Sequence, residues 1–426
     1  MYQEVSINLL NLLLSLSDAL DLASPELSQH QLRTAFIAWE MCKAAELPAS
    51  DTDQLFIAAL LHDIGALSLE NKIDVHRGSV IDPQIHCILG ERVLKTLPTF
   101  GPSAMIVRYH HTEWQTLEGR GKEPHIFAAQ ILMMADILEQ AIDRQTYILH
   151  QNQILTEKVE SLSGTTIAPE IVEIFKSIAI REDFWLDLVS TRLYSLLLHH
   201  GPGRNREVDQ AFLKPISELF RNIIDFRSQF TATHSTGVAT SAALLAKFLG
   251  LTELEIGLME VAGNLHDLGK LVISNSILDK PDSLSKEEMA IMRQHTYFTY
   301  TVLNTIEGIS RITEWAAFHH ERLDGSGYPF HLKADKLGIG ARIMAVADIF
   351  TALSEDRPYR VGMKQQEVLS TLQTMCAKNY LDKVVFRALE ENYEEVLTLT
   401  KKHQAEAKEY YEREFAIPLA AQSPSR

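Results

Sequence analysis

One pattern of histidine and aspartate runs twice along this chain of 426 residues, with the same residue types in the same order each time. His30 precedes the pair His62-Asp63 by 32 positions, and His234 precedes His266-Asp267 by the same 32. His86 follows His62 by 24 and His295 follows His266 by 29, after which the doublets His110-His111 and His319-His320 each begin 24 further on. Each pass closes on an aspartate in an apolar run, Asp136 and Asp348. The offset between the copies drifts only from 204 to 212, and ten of the 17 histidines belong to the pattern, which chance spacing does not produce. Two copies of one folding unit are expected, each with its own polar cluster.

The seam falls at residues 201–205, GPGRN, a turn-rich break between helical patterns. This places a first domain at 1–200, a second at 205–400, and a charged helical tail at 401–426. Apolar residues recur at spacings of three and four, as in Val238, Leu244, Leu245, Phe248 and Leu249 ahead of Gly250, a natural helix terminator. A lead-in helix is expected over 208–230, and another helix over 254–268 ending at Gly269. No stretch alternates with period two, so the fold class is all-α, two tandem helical bundles. Residues 7–20 are apolar but interrupted by Asn8, Asn11 and Asp18, which fits an amphipathic helix and neither a membrane span nor a secretory leader. A formal net charge of −16 argues against a nucleic-acid polymer as partner. Three cysteines without paired spacing, Cys42, Cys87 and Cys376, indicate reduced thiols and a cytoplasmic protein.

Imidazoles and carboxylates delivered from several helices suit divalent transition metals, and a metal pair suits phosphodiester cleavage, because it supplies a nucleophilic water at neutral pH and neutralises phosphoryl oxygens. In the second half, Asp267 can bridge two metals, His234 and Asp348 complete one, and His295, His319 and His320 complete the other. Iron, manganese, nickel or zinc fits such nitrogen-rich ligation, and calcium does not. The remaining histidines, His76, His125, His150, His199, His200, His331 and His403, read as ordinary core or surface residues. Burying the repeated set without a metal would strand ionisable groups among apolar helices.

The second half resembles the HD-GYP family of HD phosphohydrolases. The resemblance rests on NLHDLGK at 264–270, FHHERLDGSGYP at 318–329 and DIFTALSEDRPYR at 348–360, and it covers nearly all of 215–395. It implies an HD-type helical bundle that hydrolyses a 3′,5′-cyclic dinucleotide, cyclic di-GMP or cyclic GMP–AMP, with His234, His266, Asp267, His295, His319, His320 and Asp348 as metal ligands. It further implies that Lys270, Arg357 and Arg360 meet the phosphates. Gly325, Gly327, Tyr328 and Pro329 form the named loop, where Tyr328 offers a stacking face to a base or to a diguanylate-cyclase-type partner. Family members with a third metal carry a glutamate four positions before the first histidine. Phe230 stands there, so two divalent metals are expected, iron or manganese ahead of nickel or zinc.

The first half keeps the same set, His30, His62, Asp63, His86, His110, His111 and Asp136, and Glu26 occupies the third-metal position. Its substrate-handling residues are gone: Ala66 replaces the lysine, the loop at 118–124 lacks the tyrosine, and Gln145 and Ile148 replace the arginines. Arg144 substitutes only with a one-residue slip. A metal-loaded regulatory domain, a second hydrolase, and a structural repeat that supports a homodimer all remain open for this half. For the chain as a whole, an HD-type hydrolase of another nucleotide and a non-catalytic cyclic-dinucleotide sensor are the alternatives.

Overall fold

The computed structural model describes residues 6–22, 27–66, 69–76, 82–117, 119–227, 233–280, 282–356 and 361–415. Helices supply nearly all its regular structure. The strands among the described residues are two-residue segments, Ile7–Asn8 and Glu207–Val208, paired with each other. The chain divides into two compact units, one formed chiefly by 8–66 and 70–207 and the other by 208–420. No described helix is long and apolar enough to cross a membrane.

In the first unit, helix Leu9–Asp21 differs from its expected amphipathic character, since Asp18 alone among its residues is not buried. Its polar positions tolerate this because each finds a partner. Asn11 Nδ2 donates to the Tyr194 hydroxyl at 3.1 Å, Ser15 Oγ to the Asn11 carbonyl at 2.8 Å, and Ser17 Oγ to the Leu60 carbonyl at 2.7 Å. This helix packs on helices His30–Ala44, Ala49–Leu60 and Leu193–His200, and Gln84–Lys95, Gly101–Tyr109 and Pro124–Gln140 complete the bundle beyond them. Their interior includes Phe36, Leu60, Leu89 and Met134, all essentially inaccessible. Each fully buried side chain of this size contributes about 1.5–3 kcal/mol.

The second unit repeats the plan with helices Gln210–Phe226, His234–Phe248, Glu253–Leu265, Lys286–Leu303, Ser310–Ala317 and Ile339–Ser354. Reciprocal capping boxes, Thr252 with Glu255 and Ser285 with Glu288, start two of them. Gly250 ends the His234 helix with φ +76°, as its position in the sequence suggests. The long helix Tyr393–Glu414 lies against this helix, and Phe226 meets Tyr411 and Phe415 at its far end.

The expected helix over 254–268 stops earlier, at Leu265, and a 3₁₀ turn takes over at Leu268–Val272. The reason lies in the neighbouring helix. Thr299 Oγ1 donates to the His266 carbonyl at 3.0 Å and accepts from the Gly269 amide at 2.9 Å, so a side chain satisfies groups that a continuing helix would pair. Gly269 is required there, since a Cβ would sit 1.9 Å from the His295 carbonyl oxygen. Gly65 stands in the same relation to His86, at 2.0 Å. The lead-in helix ends at Phe226, and residues 228–230 lie outside the described set.

Candidate metal centre

Four helices and one turn deliver the second cluster. His234 opens its helix, His266 and Asp267 form the bend between Leu265 and the 3₁₀ turn, His295 projects from the middle of Lys286–Leu303, His319 and His320 follow Ser310–Ala317, and Asp348 lies within Ile339–Ser354. His266 Nε2 is 3.2 Å from Asp267 Oδ2, and His295 Nε2 is 3.5 Å from Asp267 Oδ1. His234 Nε2 lies 3.2 Å from Asp348 Oδ1, and His295 Nε2 lies 3.3 Å from His319 Nε2. His320 is the outlying member, 30% exposed, with Nδ1 3.7 Å from Asp348 Oδ2. Two groups of three, His234 with His266 and Asp348, and His295 with His319 and His320, each gather their donor atoms within 4.8 Å.

The donor chemistry fits divalent metals. His266, His295 and His319 each donate Nδ1–H to the carbonyl three residues earlier, on Gly263, Met292 and Ala316, at 2.7, 2.7 and 2.6 Å. That bond fixes the tautomer and turns a bare Nε2 lone pair into the cluster. His266 Nε2 is buried without a hydrogen-bond partner, a cost that coordination would relieve. Burial pushes the His295 pKa down to about 3 and also lowers those of His319 and His320, leaving neutral imidazoles. Burial opposes ionisation of Asp267, yet His266 and Lys270 hold its carboxyl well below the usual carboxylate range. For these three histidines and Asp267 the protonation states are those that metal ligation requires, whereas at His234 burial is outweighed by Glu355 and Asp348, which raise its pKa to about 10, so a metal there displaces a proton.

Around the cluster, Lys270 Nζ lies 2.5 Å from Asp267 Oδ2 and is largely covered. It sits in the 3₁₀ turn and not one α-helical turn beyond His266, so its direction comes from the turn. Tyr328 folds back on the histidine doublet, its amide donating to the His320 carbonyl at 3.2 Å and its ring centroid 4.9 Å from that of His320. The Arg293 guanidinium stands 5.1 Å from the Tyr328 ring centre, so the ring already has a cationic neighbour. The loop holds this shape because Glu321 accepts the Phe330 and Leu332 amides at 2.7 and 3.0 Å, and because a Cβ on Gly327 would lie 2.4 Å from the Arg322 nitrogen. Phe230, Arg357 and Arg360 lie outside the described residues.

The first unit assembles its counterpart set as tightly. His30 Nε2 is 3.3 Å from His62 Nε2, 3.3 Å from Asp136 Oδ1 and 3.5 Å from Asp63 Oδ2. His86 Nε2 is 3.3 Å from His110 Nε2 and 3.7 Å from Asp63 Oδ1, while His111 Nε2 is 4.0 Å from Asp136 Oδ2. His62 and His110 repeat the bond to the carbonyl three residues back, at 2.9 and 2.6 Å. Asp63 Oδ1, His86 Nδ1 and His111 Nε2 are buried without hydrogen-bond partners. Glu26 lies outside the described residues. Arg144, which the sequence offers as a displaced phosphate cation, is bound elsewhere, with Nη2 3.0 Å from Glu139 Oε1 and Nη1 donating to the Ser28 carbonyl at 2.8 Å.

Several residues at these clusters escape the sequence pattern. Glu139 Oε2 accepts from His30 Nδ1 at 2.5 Å, and Glu355 lies 3.2 Å from His234 Nδ1. Glu139 is three after Asp136, a helical neighbour that a search for such spacing would find. Glu355 is seven after Asp348, so spacing alone does not pair the two. Asp21 and Asp225, each nine before the first histidine, accept the amides of Gln31 and Ser235 at 2.9 and 3.2 Å. They extend the repeat by one position. His76, read above as ordinary, has its ring 4.9 Å from that of His30.

Comparison with known proteins agrees with this doubled arrangement. Profiles described as HD domain match residues 27–141 and again 218–385. The 3′3′-cGAMP-specific phosphodiesterase 1 of Vibrio cholerae is 30% identical over 411 residues, spanning 93% of this chain and 94% of its own length. The chain belongs to the HD-GYP family, with tandem HD domains. A second relative, a cyclic di-GMP phosphodiesterase response regulator of Xanthomonas campestris, is 37% identical over 170 residues, 39% of this chain and 44% of its own. A solved structure, a cyclic GMP-AMP specific phosphodiesterase of V. cholerae, matches 91% of this chain and 98% of its own with a TM-score of 0.63 at 24% identity, a likeness of fold.

Proposed function

We propose that this HD-GYP protein is a metal-dependent phosphodiesterase that opens 3′,5′-cyclic dinucleotides, 3′3′-cyclic GMP–AMP ahead of cyclic di-GMP, to a linear dinucleotide. The observation that carries the activity is the convergence of His234, His266, Asp267, His295, His319 and Asp348 into one buried cluster with Lys270 at its edge. The preference for the mixed dinucleotide rests on the relative that spans the whole chain. His234, His266, Asp267 and Asp348 would hold one metal and His295, His319 and His320 the other, with Asp267 shared, as iron or manganese. Such a pair supplies a nucleophilic water at neutral pH and takes up negative charge from phosphoryl oxygens. Lys270 holds a fixed positive charge beside Asp267, where it can bind a non-bridging phosphoryl oxygen and stabilise the charge that grows there. The Nδ1–carbonyl bonds of His266, His295 and His319 keep the imidazoles oriented as substrate enters. Tyr328 and Arg293 form the wall next to His320 and can meet a base by stacking. The buried thiols Cys42, Cys87 and Cys376, all free, suit a cytoplasmic enzyme.

The first unit fits a second metal centre that lacks the phosphate grip, with Ala66 in place of the lysine and Arg144 bound to Glu139. The test is anaerobic purification with manganese or iron, metal analysis, and product analysis on cyclic GMP–AMP, cyclic di-GMP, cyclic di-AMP and linear nucleotides. Metal-dependent linear dinucleotide from cyclic GMP–AMP is expected. Binding without turnover, or turnover of linear nucleotides alone, would overturn the reading.

A further inference from the structure

The two units orient the first histidine of the pattern by different means. In the first, Glu139 takes the Nδ1–H of His30 and is itself held by Arg33 Nη1 at 3.3 Å and Arg144 Nη2 at 3.0 Å. In the second, the position three after the closing aspartate is Thr351, which bonds Ser241 at 3.2 Å and offers no carboxylate. Glu355, a full turn further on, faces His234 instead, with both oxygens 3.2 Å from Nδ1. Its support comes from another helix. Gln404 Nε2, on Tyr393–Glu414, lies 3.4 Å from Glu355 Oε2 and donates to the Thr233 carbonyl at 3.3 Å, next to His234. The approach needs Gly237, where a Cβ would sit 2.7 Å from Gln404 Nε2. The first unit has Arg33 at the corresponding position, and there the side chain itself reaches the carboxylate.

We infer that Glu355 and Gln404 are positioning residues for the metal ligand His234, so that a helix beyond the HD-domain match, which ends at residue 385, helps set metal affinity in the second unit. Glu355 fixes the proton on Nδ1 and aims Nε2 at the cluster, raising the basicity of the ligand. Gln404 braces Glu355 and the backbone that starts the His234 helix. The inference rests on the metal-centre reading above.

The experiment uses the full-length chain carrying Asp63→Ala, so that manganese bound by the second unit is read alone, by competition with a fluorescent chelator. Glu355→Ala should weaken Mn²⁺ binding about 10–100-fold. Glu355→Gln should recover most of that loss, because its amide oxygen still accepts from Nδ1. Gln404→Leu should weaken binding less than Glu355→Ala, and the unfolding midpoint of each metal-free variant should match the parent. Unchanged Mn²⁺ affinity in Glu355→Ala would overturn the inference. A fall in metal-free stability that tracks the loss of affinity would overturn it too, since that marks a purely structural role. Asp267→Ala is the control for the underlying reading: parental Mn²⁺ binding in that variant would sink the metal assignment itself, whatever Glu355 does.

Discussion

Lys270 and Asp267 pair at 2.5 Å, and the pair does two jobs that substitution can separate. Asp267 is proposed as a metal ligand, whereas the ammonium, with donors beyond the one it gives Asp267, is proposed to meet phosphate. Lys270→Met is therefore expected to keep its metal and lose turnover by about 10²–10³-fold, the usual effect of removing one transition-state donor. Metal analysis beside steady-state cleavage of cyclic GMP–AMP checks this, and loss of metal from the variant would contradict it. A second residue-scale expectation concerns Asp225, whose pKa burial raises to about 6. A carboxyl with a raised folded pKa contributes stability that is full below its unfolded value and is lost as pH rises through its folded value. Between about pH 4 and pH 6 the metal-free wild type should thus lose stability relative to Asp225→Asn, which cannot ionise. Urea unfolding of both proteins over that range measures the difference, and parallel profiles would refute it.

At the scale of elements, the decisive feature is the close crossing of the 266–270 turn over the Lys286–Leu303 helix. Gly269→Ala would place a methyl 1.9 Å from the His295 carbonyl oxygen, so turn and helix must separate. Overpacking of this kind costs about 1–3 kcal/mol, and here it also pulls His266 and Asp267 from His295. Lower unfolding free energy together with weaker metal binding is expected. Gly65→Ala should do the same to the first cluster, where the carbonyl of His86 lies 2.0 Å away. The turn was not legible in the sequence, because apolar periodicity runs through 265 and Gly269 looks like an ordinary terminator. The helix ends early only because Thr299, 33 positions on from His266, satisfies its backbone.

At the scale of the whole molecule, the question is how many metals one chain carries. Each cluster holds imidazoles that burial keeps neutral, His86 in one and His295 in the other, and buried atoms without hydrogen-bond partners, so both are expected to fill. Asp63→Ala should lower the metal content of the chain while cyclic dinucleotide cleavage persists, and Asp267→Ala should abolish cleavage while the first unit's metal remains. Elemental analysis and product assays on the two variants decide the matter; equal loss of activity in both would count against separate roles. Manganese at a hundredfold excess over its dissociation constant should stabilise the protein by about 2.7 kcal/mol per linked site, visible as a rise in melting temperature.

The identity and order of the cluster residues were determined by the sequence, since a polar set repeated at offsets of 204 to 212 cannot be spread over apolar helices without converging. Helical class followed for the same reason, from apolar spacings of three and four. Tertiary structure alone decided what surrounds the cluster. Glu355 and Gln404 reach His234 from another turn and another helix, Arg293 stands over Tyr328, and none of the three recurs at a matching position in the first half. Ligand chemistry repeats along the chain because each ligand must come from a set place on its helix. The carboxylate that orients the first histidine does not repeat, because any nearby carboxylate with the right reach can hold an imidazole, and packing chose Glu139 in one unit and Glu355 in the other.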